Sequence, residues 1–319
     1  MRRALLLAWR LHRWELAFMT LACLALAGAT AYLAIDMRLM LAGCGSGSIA
    51  GIPCTSPFVF QDLHGASVGL LMPLAGVLPF AVGLVLGVPL AARELEHRTA
   101  QIAWALAGSR LRWLAWRAAP MAIATVILVS PPAFAADQML RARWPHDDVG
   151  FLEYGLHGVP LVMRAVLALA IGMGIGAVIG RQLPALLVGG LLSLAVAVGL
   201  NLAVALWVTT DELAATTEQQ LEETLDPNAR LGVRPVSSEY RMPDGTVISD
   251  EEAEAIIAAA YEAAGESEPD RATLPQWVSY EIPPHRYPDV VLRESIAIAA
   301  ATVLVVGATG LLVRRRRVA

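Results

Sequence analysis

The sequence predicts a mainly α, polytopic membrane protein with six transmembrane helices and a small α+β extracytoplasmic lobe. Three observations predict it. Of the 319 residues 56% are hydrophobic and only 16% charged, with a mean hydropathy of +0.57, a balance foreign to soluble domains. Six largely uncharged apolar runs recur along the chain, each near the roughly 20 residues that cross a hydrocarbon core. Acidic residues are concentrated instead of scattered. Between Thr209 and Asp289 lie 18 of the 28, against five arginines, for a local net charge of −13.

Met1–Trp14 places Arg2, Arg3, Arg10 and Arg13 among Leu5, Leu6, Trp9 and Leu11, a basic amphipathic lead-in suited to an anionic bilayer surface. Leu16–Ile35 follows without a charge. It is longer than the apolar core of a signal peptide and reads as an uncleaved first span. The remaining spans are Ala66–Ala92, Ala118–Ala136, Leu156–Gly180, Leu183–Thr210 and Ser295–Val313. An even number of spans puts both termini on one side, and the arginines decide which. Four lie in the lead-in, five between Arg93 and Arg117, one at Arg181 and four at Arg314–Arg317, all on the side that the positive-inside rule makes cytoplasmic. The expected division is a membrane domain at 1–208, an outer lobe at 209–289, and the sixth span with its basic tail at 290–319.

The second span carries Pro73, Pro79 and Pro89 with Gly76, Gly83 and Gly87, so a bent, closely packed helix is expected. Gly172, Gly176 and Gly180 recur every fourth residue of the fourth span, a face that lets two membrane helices approach closely. Arg164 on that span is expected to snorkel to the interface. In the outer loop from Asp36 to Gly65, Cys44 and Cys54 admit either a disulfide or two free thiols, while Cys23 reads as packing within the first span. No metal-ligand spacing is present.

The acidic stretch has signs of folding. Thr209 and Glu212 suggest a capping box before a helix to Leu225. Pro243-Asp244-Gly245 separates two strand-like runs, a hairpin signal. Ser249 and Glu252 predict a second capped helix that stops at Gly265. Solvation of an exposed surface accounts for the acidity, and attraction of a cationic substrate is the sharper alternative.

The segment Gly87–Arg117 holds five arginines, two glutamates and a histidine between apolar flanks. Ala91, Leu95, Arg98 and Ile102 share a helical stripe, and Glu94 and Arg98 have the i,i+4 spacing of an ion pair. The run Gly87-Val88-Pro89-Leu90-Ala91-Ala92-Arg93-Glu94-Leu95-Glu96, with Thr99, Ala103-Trp104 and Ser109-Arg110-x-Arg112-Trp113, resembles the loop signature of actinobacterial ABC type-2 transporter permeases. The string Trp9-Arg10-Leu11-His12-Arg13-Trp14 resembles their N-terminal segment. Arg286-Tyr287 preceding Glu294 by eight residues resembles their entry into the last span. Arg98 departs from that pattern, standing where the family usually has glycine.

The resemblance implies the membrane subunit of an ABC exporter in a bacterial plasma membrane. Arg93, Glu94, Leu95, Glu96, Arg98 and Thr99 would couple it to two copies of a separate ATPase carrying Mg-ATP. A second permease copy or a similar permease would complete the assembly within the lipid bilayer; nucleic acid is not an expected partner. Arg286, Tyr287 and Glu294 would form an outer-edge site, with an interfacial pair between Glu294 and Arg293 as the alternative. All 24 basic residues are arginine, so the chain lacks the lysine a P-loop needs and cannot hydrolyse ATP by that route. No enzyme motif appears. The competing function is a non-transporting sensor or immunity protein whose acidic lobe binds an external ligand.

Overall fold

A computed structural model describes residues 2–56, 59–60, 63–145, 149–217, 233–265 and 269–315. Among these, six helices are long and apolar enough to cross a membrane: Arg13–Cys44, Gly65–Glu96, Arg110–Arg143, Gly158–Ile179, Gln182–Trp207 and Pro284–Arg315. The protein is therefore a polytopic, mainly helical membrane protein with a small sheet region. Helices continue past the apolar runs, because their ends are closed by local chemistry and not by the first charge. The third ends beyond Asp137, whose carboxylate pairs with Arg141 one turn on at 2.9 Å.

The elements in order are α1 (Arg2–Cys44), β1 (Ser48–Ile49), β2 (Ile52–Pro53), α2 (Gly65–Gly87), α3 (Pro89–Glu96), α4 (Ala100–Ala107), α5 (Arg110–Arg143), α6 (Gly158–Ile179) and α7 (Gln182–Leu202). Then come β3 (Ala214–Thr217), β4 (Arg234–Arg241), β5 (Val247–Ile248), α8 (Asp250–Ala264), β6 (Gln276–Ile282) and α9 (Tyr287–Arg315). The chain divides into two compact units. One comprises Met1–His146, Glu153–Ala203 and Val291–Ala319; the other comprises Asp147–Leu152 and Val204–Val290.

In the first unit α1 lies along α5, and α2 lies along α6. The core gathers Val82, Leu86, Leu90, Trp104, Trp113, Met121, Leu161, Leu169 and Met173. Pro73 and Pro79 sit inside α2, whereas Pro89 stands at the first position of α3, the helix position where proline is most readily accommodated. Gly83 and Gly87 face α6 so closely that a Cβ on either would strike the carbonyls of Ala165 and Leu169. Gly172 and Gly176 return the contact against Val88, while Gly180 closes α6 with φ 69°. Two of the three repeated glycines therefore serve packing and the third serves helix termination. Cys44 and Cys54 are joined as a disulfide with Cα atoms 6.4 Å apart, closing the β1–β2 hairpin onto the end of α1.

The second unit holds an antiparallel sheet of order β3-β6-β4-β5 with α8 beside it. The β4–β5 hairpin turns through Pro243-Asp244-Gly245, and Ser249 and Glu252 form the capping box of α8. The helix expected after Thr209 is corrected. Thr209 and Glu212 do form a capping box, but on a single 3-10 turn, and the chain then enters β3, paired with β6 in the register Thr216↔Ser279. Pairing with a neighbouring strand has overridden the local helix signal. The remainder of that expected helix, within 218–232, and the end of the basic tail, 316–319, lie outside the described residues.

Candidate functional site

α3 and α4 are the short helices of the charged segment, and the turn between them is a helix stop. The Thr99 N–H donates to the Glu94 carbonyl at 3.0 Å and the Arg98 N–H to that of Leu95 at 3.3 Å, with Arg98 left-handed at φ 58°. These are the paired bonds of a Schellman motif, and they place Arg98 at the position where glycine is usual. The expected continuous stripe through Arg98 and Ile102 is therefore corrected: α3 ends at Glu96, and the left-handed Arg98 interrupts the helix before α4 begins at Ala100.

The expected Glu94–Arg98 pair is not made either. Glu94 bonds the Arg117 guanidinium through Oε1 and accepts the Thr99 hydroxyl on Oε2 at 2.8 Å. Both carboxylate and guanidinium are mostly shielded from solvent. Arg93 lies 3.8 Å from Glu15 of α1, and Glu96 accepts the Gln182 N–H at 3.1 Å, placing a carboxylate at the positive end of α7. Leu95 packs against the bundle core. Of the six predicted coupling residues, Arg93, Glu94, Leu95, Glu96 and Thr99 thus make contacts within the chain, and Arg98 is exposed.

Beyond the turn, Trp104 and Trp113 meet edge to face at 6.1 Å, with Arg110 4.4 Å over the first ring and Arg117 5.2 Å over the second. This ladder knits α4 to α5. Ser109 caps α5 by accepting the Arg112 N–H at 3.1 Å, and Arg110 donates to the carbonyls of Val313 and Arg314 at the end of α9. The face of α4 left over carries Ile102 at 64% exposure and Leu106 at 84%.

A second polar cluster lies among the spans. Arg164 of α6 and Glu294 of α9 are 1% and 0% exposed. Arg164 Nε and Nη2 donate to Glu294 Oε1 at 3.1 and 2.8 Å, and Nη1 donates to Asn201 Oδ1 of α7 at 3.2 Å. The Tyr154 hydroxyl donates to Glu294 Oε2. Gly155, at φ 83°, leaves the space that the guanidinium fills. Arg164 is thus paired in the interior and does not snorkel, and Glu294 pairs with it and not with its neighbour Arg293. The signal was present: one cation in the fourth span and one anion at the sixth are each costly alone, and they find each other. Spacing carries no hint of Tyr154 or Asn201, which the fold alone brings in.

Arg286 and Tyr287 have other partners. Arg286 lies 3.5 Å from both Glu212 and Asp289, and Tyr287 meets Phe151 edge to face at 5.4 Å. A third cluster joins His157 Nδ1 to Asp137 at 3.1 Å. Among the described residues no three His, Cys, Asp or Glu side chains converge for a metal ion.

No curated protein and no solved structure matches the chain. A family model does: the one described as ABC-2 membrane transporter related matches residues 16–209, which take in the first five spans and the whole α3–α4 turn. That match covers more than half of the chain, and it includes both the glycine-packed α2–α6 pair and the segment whose signature suggested a permease. The chain belongs to the ABC-2 membrane transporter related family, as a multi-pass transporter permease of the ABC type.

Proposed function

We propose that this permease is the membrane subunit of an ATP-driven exporter, with both termini and residues 93–117 in the bacterial cytoplasm and the 209–289 lobe outside. Two copies of a separate ATPase, carrying Mg-ATP, bind it, and a second copy of this chain or a similar permease completes the transporter. The observation that carries the reading is the construction of the α3–α4 turn. Glu94, Thr99 and Arg117 hold it rigid from within, Arg93 and Glu96 tether it to α1 and α7, and Leu95 seats it on the core. Arg98 in the turn and Ile102 and Leu106 on α4 are left exposed. A rigid turn with a cationic and apolar outer face suits transmission of a push from a docked subunit.

Glu94 is a poor residue with which to test docking, because reversing its charge would break the internal pair with Arg117 and disturb the turn itself. Arg98→Glu with Leu106→Asp is cleaner. Exposed substitutions of this kind usually move stability by about 0.5 kcal/mol or less, whereas an interfacial charge that loses its partner commonly costs about 2–5 kcal/mol of binding. The double variant should express and insert normally but fail to co-purify with the ATPase or to support coupled ATP hydrolysis. Assembly and transport at wild-type levels would leave the turn as a topological anchor only.

A further inference from the structure

The helices of the first unit are joined in two different ways. α2 and α6 meet backbone to backbone, and a Cβ on Gly176 would strike the Val88 carbonyl just as one on Gly83 or Gly87 would strike α6. A contact this close cannot slide without losing its attraction, so the two helices move together. Val88 passes without a break into α3, donating to the Leu84 carbonyl and accepting from the Ala92 N–H. α2, α3 and α6 therefore form one lever. The Glu94 turn is at one end of it, and Arg164 lies on α6 about 18 Å along the helix from Gly176.

α9 is attached at separate points. Ile298 sits with Leu167 and Ile171, and Thr309 lies opposite Gly174. At its far end Val313 and Arg314 receive Arg110. Leu292, Ile296, Val303 and Leu304 are exposed. The most specific of these attachments is the ion pair with Arg164.

We propose that the Arg164–Glu294 pair is a latch between this lever and α9, closed in the present structure, and that its opening is a step of the transport cycle. The inference rests on the permease reading, since it needs a cycle to serve. A buried ion pair adds little net stability over well-packed apolar groups, so stability alone does not account for placing one among the spans. What it does supply is a two-state contact. Three guanidinium donors and both carboxylate oxygens are engaged together, and a shift of α9 breaks several of these bonds at once. Each half also has a second polar partner within reach: Asn201 accepts from Arg164, and Tyr154 donates to Glu294. That arrangement lowers the cost of opening, which a purely structural pair would not require.

The test uses the full chain in lipid vesicles, with Cys23 replaced by alanine and spin labels at Val178→Cys on α6 and Leu292→Cys on α9. Removing one partner strands a buried charge and risks misfolding, so the informative variant is Arg164→Met with Glu294→Leu. The parent should give one narrow label-to-label distance. The double variant should insert to the same level but show a second, shifted population and lose coupling of ATP hydrolysis to transport. A distance distribution unchanged by the double substitution overturns the latch. So does full coupled turnover when Arg164→Cys and Glu294→Cys are bridged by a short cleavable reagent. A shifted distribution in a chain that never engages an ATPase would keep the latch and remove the transport reading. An unshifted one beside intact coupled hydrolysis would do the reverse.

Discussion

Arg98 occupies a backbone conformation in which a side chain costs about 1–2 kcal/mol relative to the right-handed region. Glycine removes that cost but also loses more freedom on folding, which returns about 0.4–1 kcal/mol of it. Arg98→Gly should therefore melt at or slightly above the parent in detergent, and Arg98→Val, β-branched at a positive φ of 58°, should melt below it. In the lobe, Tyr280 donates its hydroxyl to Glu239 at 2.8 Å and Arg241 adds a second bond, and together they hold the Glu239 carboxyl below its ordinary range. The Ser249 backbone N–H does the same for Glu252, and the Thr246 N–H for Asp244. A carboxyl depressed in the folded state contributes stability that is present above its unfolded value and lost as pH falls through its folded one. The lobe should therefore keep its protection at neutral pH and loosen below about pH 4. Amide exchange of β4, α8 and β6 in the full chain, corrected for intrinsic rate, checks this; protection unchanged down to pH 3 would contradict it.

Among the elements, the α2–α6 pair is the least tolerant. Gly176→Val places its branch against the Val88 carbonyl, and no flexible side chain is there to yield. Overpacking of this kind costs about 1–3 kcal/mol, and the variant should melt lower or insert poorly. Gly199→Val on α7, which a Cβ would leave in open space, should not. The hairpin after α1 makes a milder prediction. Replacing Cys44 and Cys54 with serine opens a short loop, for a loss of about 2–3 kcal/mol at most. The protein should still insert, and in the untreated parent neither cysteine should take up an alkylating reagent. These elements were unequally legible. Glycine at four-residue spacing in the fourth span announced a close helix contact, because only a missing side chain permits one. The strand at Ala214–Thr217 was not announced, because a short segment takes its conformation from the partner it finds.

For the whole molecule the first question is orientation. With Cys23, Cys44 and Cys54 removed, a cysteine placed at Asp244 should react with an impermeant reagent in intact cells, and one placed at His97 should not. The opposite pattern would invert the chain and with it the exporter reading. The sequence by itself determined the solvent and the span count. Apolar runs of bilayer length admit only helices there, since every backbone group must bond within its own segment. It also determined the helix cap at Ser249, which depends on residues a few positions apart, and the family, carried by the segment from Gly87 to Trp113. Only the tertiary structure decided which charge meets which. Glu94 could reach Arg98 along a continuous helix, but the helix stops, and Arg117 from another helix takes its place. Arg164 and Glu294 are separated by well over a hundred residues, and a pair that distant follows from how α6 and α9 pack together, which spacing along the chain does not encode.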